Sequence, residues 1–315
     1  MIRLYSELLF ATMVWGFGFI ASIWALRGMG PVLNTALRFG IAFIFLDLIC
    51  RFRLFKTTPI RYNRKDFLKI MKPGILLFAM MVFQTWGLKY TGPARSGFIT
   101  VLYVVFVPLF ERFFIGTKIR ALIILWITMA LIGTALICGV VTTNGVNHEF
   151  LGAINRGDVY TFMCAIFGAA HIIAVNQTLH EIESPIQFQV YQCLWITLLA
   201  TVLTAFTEGF SALFSPWDLL TWVGLLHLGI LSSAIAFLIQ IRAQKTIPPA
   251  SFGLLVLLES PWALVFSFLL GMEILNSFQL VGAGLILAAA TFESLTSASN
   301  QNTVVSNERH RREFY

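Results

Sequence analysis

Charge is what this chain has least of. Only 12% of its 315 residues are Asp, Glu, Lys or Arg, about half the share of an ordinary soluble domain, and mean hydropathy is +0.81. No polar stretch is long enough to build a sizeable soluble domain, which excludes a soluble enzyme or a large extramembrane head. Catalytic signatures are also missing. There is no GxxxxGK[ST] loop for nucleotide phosphates, and no HExxH, DDxxD-like or GxSxG constellation. ATP hydrolysis is therefore unsupported. A membrane-embedded lipid-modifying enzyme, the alternative from a different class, lacks the clustered His, Asp or Glu it would need. Cys50, Cys138, Cys164 and Cys193 are scattered through apolar runs with no CxxC pair. They read as buried thiols, with no metal site and no disulfide framework. The chain is expected to be no enzyme and to need no cofactor.

Long apolar runs are what is there. Ten lie near 4–26, 31–50, 70–89, 94–114, 119–140, 157–178, 186–207, 218–242, 248–270 and 274–293. Runs of about 20 residues suffice to cross a hydrocarbon core of about 30 Å. The first is too long for a signal-peptide core and has no clear small-residue cleavage site, so it should stay as a helix. The loop at 51–72 carries Arg51, Arg53, Lys56, Arg61, Arg64, Lys65, Lys69 and Lys72. With the N-terminus inside, that side also collects Arg3, Arg112, Lys118, Arg120, Arg242, Lys245 and the tail, against Arg27, Lys89, Arg95 and Arg156 opposite. Both termini are therefore expected in the cytoplasm. The net charge of +7 follows from topology and anionic lipid, not from nucleic acid. Residues 294–315 are polar and aperiodic, and a disordered cytoplasmic tail is expected there.

One stretch occurs twice. FAMMVFQTWGLKYTGPARSGFITVLY at 78–103 and AIAFLIQIRAQKTIPPASFGLLVLLE at 234–259 lie 156 positions apart. Gln84 matches Gln240, Lys89 matches Lys245, Pro93-Ala94 match Pro249-Ala250, Gly97 matches Gly253 and Leu102 matches Leu258. An odd number of crossings separates the copies, so the second is upside down in the bilayer. The pattern predicts an all-α integral membrane protein of ten transmembrane helices, built as two inverted five-helix repeats over 1–140 and 153–293. Further out, Arg38 falls opposite Gln192, and Gly16 and Phe19 opposite Gly168 and His171. Inverted repeats place a site at mid-membrane on the pseudo-two-fold axis. Pro108 and Pro261 lie deep inside their runs, where proline removes a backbone bond and can kink a helix.

Ionisable residues at that depth are costly and usually functional or paired. Asp47 stands four residues before Arg51, an ordinary helical pair. Glu259 and Arg38 do not fit that account. Glu259 lies about 11 residues into its run, near the bilayer centre, and its repeat partner is Tyr103. Spacing sets Ser96, Thr100 and Tyr103 on one helix face, and Phe252, Val256 and Glu259 on its symmetry mate. Glu259 can bind a substrate ammonium or take up a coupling proton; the alternative is a protonated or arginine-paired structural group. Arg38 can neutralise a substrate anion, although snorkelling or pairing within its own half is the favoured expectation. Gln84 and Gln240 serve either the substrate or helix packing. His171 is a packing residue or a ligand. Trp15, Phe19 and Trp86 with Tyr90 form aromatic steps that could line a cavity or pack.

These residues resemble the EamA family of the drug/metabolite transporter superfamily. LLESPWALVFSFLLGME at 257–273 supplies Leu258, Glu259, Ala263, Leu270, Gly271 and Glu273, matching the family's L-E-x-x-x-A…L-G-x-E pattern. WGFGFI at 15–20 resembles its opening, and Arg38 a basic residue often seen in its second helix. The first repeat departs from the pattern by ending Ile115-Gly116-Thr117-Lys118, without the usual Gly-Glu. The resemblance implies a multi-pass carrier of a bacterial inner (plasma) membrane. Such a carrier moves a small polar metabolite, an amino acid or amine, by alternating access, with protons as a candidate partner for efflux. Import or exchange of a nucleotide-like compound such as S-adenosylmethionine is the alternative it leaves open.

Overall fold

The computed structural model describes residues 2–54, 60, 62–91, 93–142, 145–147, 150, 152–182, 184–272 and 274–313. Lys56, Arg61 and Glu273 lie outside the described residues. A chain this apolar must satisfy its backbone polar groups within the segment that crosses lipid, and the helix does so residue by residue. The helices are α1 (Ile2–Ala25), α2 (Pro31–Arg51), α3 (Arg64–Lys69), α4 (Met71–Tyr90), α5 (Pro93–Val101), α6 (Tyr103–Phe110) and α7 (Ala121–Ile137). After a two-residue antiparallel hairpin, Val141–Thr142 with Gly145–Val146, come α8 (Arg156–Thr178), α9 (Pro185–Thr207), α10 (Leu219–Leu226) and α11 (Phe237–Gln244). The chain closes with α12 (Pro249–Val256), α13 (Glu259–Leu269) and α14 (Ser277–Glu313). Among the described residues nine spans are long and apolar enough to cross a membrane, and Ala121–Ile137 is a shorter apolar helix between them. Three spans are composite: α5 with α6, α10 with α11 through the π-helical stretch His227–Ala236, and α12 with α13.

Short connections are possible because the helices begin on local caps. Pro31 and Pro185 sit at the first turn of α2 and α9, where a missing N–H costs nothing. Asn155 and Asp158 form a reciprocal capping box on α8, each side chain accepting the other's backbone N–H. Glu208, at the end of α9, accepts the N–H groups of Val32 and Leu33 at 3.0 Å each, so one half of the chain caps a helix of the other. Gly116 and Gly271 hold φ of 85° and 66° just past the ends of the fourth and ninth spans, the left-handed setting that stops a helix and favours glycine. The Leu-Gly pair of the family pattern is thus a helix stop.

The helix packing repeats itself under exchange of the two halves. α4 packs on α8 as α1 packs on α10 and the π-helical stretch after it; α6 packs on α8 as α13 packs on α1. α2 meets its own mate α9, and α7 meets α14. The α7–α14 pair is held by backbone proximity. A Cβ on Gly133 would lie 2.6 Å from the Gly282 carbonyl oxygen, and one on Gly282 would collide with the carbonyl oxygen of Gly133. Small residues let helices approach in lipid, where van der Waals packing and hydrogen bonds drive association. Gly133→Leu should push α14 away and cost about 1–3 kcal/mol, the usual range for overpacking. A melting curve of the detergent-solubilised variant that matches wild type would refute this contact as a determinant of stability.

Asp47 pairs with Arg51 at 2.6 Å as its spacing predicts, and accepts from the Tyr62 hydroxyl as well. α14 continues as helix to Glu313, into the segment where a disordered tail is expected from composition. Side chains after 296 lie outside the described residues.

Candidate functional site

The fourth and ninth spans both break at mid-length, at equivalent places. α5 ends at Val101 and α6 begins at Tyr103; α12 ends at Val256 and α13 begins at Glu259. At the second break Pro261 has no N–H to give the Leu257 carbonyl, which accepts from Ser260 at 3.0 Å instead. Leu257 and Leu258 likewise bond three residues back, at 3.2 Å each. Pro108 does not explain the first break, which lies six positions ahead of it; there Leu102 bonds Ile99 and Val105 bonds Leu102 at 3.1 and 3.0 Å. Broken helices at membrane depth are tolerated where they line a cavity.

They do so here. A cavity enclosing about 880 Å³ of atom-free space, part of it open to the outside, lies between the two halves. Trp15, Phe19, Arg38, Gln84, Thr100, Tyr103, His171, Gln240 and Glu259 all line it. The structure therefore brings these nine candidates together. Trp86 and Tyr90 are elsewhere, packed on Tyr160 of α8 with ring centroids 5.9 and 6.0 Å away. Ser96 also leaves the cavity face, its hydroxyl 3.2 Å from that of Thr161.

Glu259 has no ion pair or hydrogen bond among the described residues; its neighbours are Tyr103 and Cys164. The arginine-paired alternative is not what the structure shows. Tyr103 donates its hydroxyl to the Gly253 carbonyl at 3.2 Å, tying α6 to α12. Arg38 corrects the expectation that it snorkels or pairs in its own half. It is buried, and no carboxylate meets it among the described residues. Its Nε donates to Ser233 Oγ at 2.8 Å and its Nη2 to Ser232 Oγ at 2.9 Å, both hydroxyls belonging to the other half. Two adjacent serines in an apolar run were the overlooked signal. They lie in the π-helical stretch His227–Ala236, and π-helical turns recur at functional sites.

A chain of amides continues from the same serine. Gln189 Nε2 donates to the Ser233 carbonyl at 2.7 Å, Gln192 Nε2 to Gln189 Oε1 at 3.3 Å, and Gln192 Oε1 lies 3.3 Å from His171 Nε2. Gln192, the repeat partner of Arg38, thus joins one network with it. Gln240 reaches only Gln244, at 3.5 Å, and Gln84 makes no protein hydrogen bond among the described residues. Trp15 meets Phe237 edge-on at 5.3 Å, and its buried indole N–H has no partner among the described residues.

Symmetry fails in one informative place. α6 packs against α12, but their symmetry mates α13 and α5 make no comparable contact. Conversely α5 packs on α8, while its mate α12 barely touches α1. The cavity is consequently sealed on the face that carries the chain ends and open on the other. The seal is a core in which Leu8, Val104 and Val107 meet Ile247, Phe252 and Leu254. Glu111 fastens it by accepting the Ala250 N–H at 3.0 Å, so α6's end caps the start of α12. Arg120 pairs with the fully buried Glu293 beside Ser251. On the open face Arg95 holds Asp158 at 2.6 Å, keeping α5 against α8.

Comparison with known proteins agrees with this architecture. The chain is similar to an uncharacterized transporter of Archaeoglobus fulgidus, 27% identical over 297 residues, covering 93% of this chain and 87% of the relative. It is also similar to the uncharacterized transporter YoaV of Bacillus subtilis, 20% identical over 302 residues and covering 94% and 98% of the two chains. A crystal structure at 19% identity superposes with a TM-score of 0.75, over 95% of this chain and 99% of the other, and shows the fold. The model of the EamA-like transporter family matches twice, at residues 5–139 and 155–295. This chain belongs to the EamA-like transporter family of the drug/metabolite transporter superfamily, and is a multi-pass membrane transporter, not an enzyme.

Proposed function

We propose that this protein is a secondary active transporter that moves an amino acid or amine across the plasma membrane by alternating access, as efflux coupled to protons. One observation carries the reading. A carboxylate and a guanidinium, Glu259 and Arg38, face one cavity between pseudo-symmetric halves, and among the described residues neither forms an ion pair with the other or with any other charged side chain. Buried charges without counter-ions are costly, and a zwitterion supplies both counter-ions at once. A carboxylate can also exchange a substrate ammonium for a proton, which couples the two movements. The symmetry argues for the other half of the cycle: α5 closing on α13 while α12 swings to α1 would be the mirror of the arrangement observed.

Counterflow in proteoliposomes tests this. Labelled amino acids and amines should enter vesicles preloaded with the same compound, saturably, and a channel would show neither saturation nor counterflow. The aromatic wall of Trp15, Phe19 and Phe237 supports a second reading, a nucleotide-like zwitterion. S-adenosylmethionine is the probe for it in the same experiment. Counterflow for that compound alone would replace the first reading.

A further inference from the structure

We propose that His171 is a specificity-determining residue. The amide relay through Gln192 and Gln189 holds its ring as the Nε2–H tautomer, which leaves Nδ1 in the cavity as a hydrogen-bond acceptor for an N–H or O–H on the substrate's side chain. The inference deepens the proposed function and rests on its substrate class.

The relay has a direction because of where it ends. The Ser233 carbonyl can only accept, so the Gln189 amide must turn its NH2 toward it, at 2.7 Å. The oxygen of Gln189 then faces Gln192 and accepts from that residue's NH2 at 3.3 Å. What Gln192 has left for His171 is an oxygen, 3.3 Å from Nε2, which therefore carries the proton. Both glutamines are completely buried, so reversing either amide would strand polar atoms away from water, which is strongly unfavourable. Ser233 is itself fixed, its hydroxyl accepting from Arg38 Nε at 2.8 Å. Gln189 and Gln192 are three residues apart on α9, on one face.

In the neutral ring the second nitrogen is an acceptor. Nδ1 has no protein partner among the described residues, and His171 lines the cavity. It makes no ion pair with Glu259 among the described residues, and the amide relay separates it from Arg38. Glu259 and Arg38 take the two charged ends of a zwitterion, and His171 offers a third point to whatever the side chain carries. A site with a built-in acceptor discriminates against a ligand that cannot donate to it far more strongly than an apolar pocket discriminates by size.

Two measurements on the purified full chain test this. The first is nitrogen NMR of 15N-histidine-labelled protein, with the His171 signals assigned by their loss in His171→Phe. Wild type should show Nε2 protonated and Nδ1 bare, and Gln192→Leu should disturb that preference. An Nδ1–H tautomer in wild type, or an Nε2–H preference that survives both Gln192→Leu and Gln189→Leu, overturns the relay. The second compares binding within matched pairs: L-threonine with L-valine, L-glutamine with L-methionine, L-tyrosine with L-phenylalanine. The donor-bearing member of at least one pair should bind at least about tenfold tighter. That preference should vanish in His171→Phe and persist in His171→Asn, whose amide oxygen falls near the Nδ1 position. Equal affinity within every pair overturns the third point. If no amino acid of any pair binds, the proposed substrate class fails and takes the side-chain role with it, whereas the NMR spectrum still decides the relay.

Discussion

Glu259→Gln is expected to abolish proton-coupled transport while leaving the melting temperature within a degree or two of wild type, roughly the scale of a surface change. The amide has the shape of the acid but can neither carry charge nor release a proton at any working pH. Loss of a charge-assisted hydrogen bond to an ammonium costs about 1.5–3 kcal/mol, or roughly 10- to 150-fold in affinity, and the coupling step disappears outright. Stability should hold because Glu259 has no partner to lose. The pairing of readouts separates the two roles open to a mid-membrane carboxylate, since a structural acid would lower the melting temperature and spare the pH profile. Uptake driven by an imposed pH gradient in proteoliposomes measures the first quantity and a thermal melt the second. Unchanged uptake and an unchanged pH profile in the variant would sink the role assigned to Glu259.

Glu111→Ala should shift the resting protein toward the state open on the face of the chain ends. Glu111 is the acceptor that α6 presents to the first turn of α12, and carboxylates at helix N-termini also gain from the helix dipole. Removing it leaves the Ala250 N–H unsatisfied and frees α12 to leave α6, the contact whose symmetry mate is missing. A charged hydrogen bond of about 1.5–3 kcal/mol corresponds to a population shift of roughly 10- to 150-fold, enough to make a minor conformer visible. Spin labels at Lys118 and Lys245, both exposed beside that seal, report it as a distance distribution by pulsed electron resonance. A longer distance should gain weight in the variant. Asp158→Asn, which weakens the Arg95 latch on the opposite face, should move the distribution the same way, because that latch also holds the present state. An identical distribution in both variants would mean that these contacts do not set the equilibrium.

Much of this architecture is legible in the chain because lipid is an undemanding solvent to read. Ten apolar runs and the 78–103 and 234–259 repeat are one-dimensional signals, the runs because a hydrocarbon core fixes the length of a span. The cavity lining was legible for a related reason. Polar residues are rare in such runs, and an in-plane pseudo-two-fold sends equivalent positions to a common centre. Symmetry therefore pairs Gln84 with Gln240 and Tyr103 with Glu259, and all four line the cavity.

What the chain could not reveal is how those residues are partnered, because partners come from helices far apart in sequence. Arg38 reads as a charge that should snorkel or find an acid. Only tertiary packing sets the π-helical stretch of the eighth span against α2, 194 and 195 positions away, and lets two serine hydroxyls hold the guanidinium. Gln189 and Gln192 have no direction as a sequence pattern; the Ser233 carbonyl gives their chain one. The sense in which the cavity opens was beyond the sequence altogether. A duplicated chain encodes both faces with nearly equal packing, and choosing between them rests on small differences such as Glu111 meeting Ala250 and Arg95 meeting Asp158. By itself the sequence determined the spans, their number and the pseudo-symmetry, because burial of apolar length in a bilayer requires them. The tertiary structure alone decided which charges go unpaired and which face is sealed, because those depend on contacts between halves that no local pattern records.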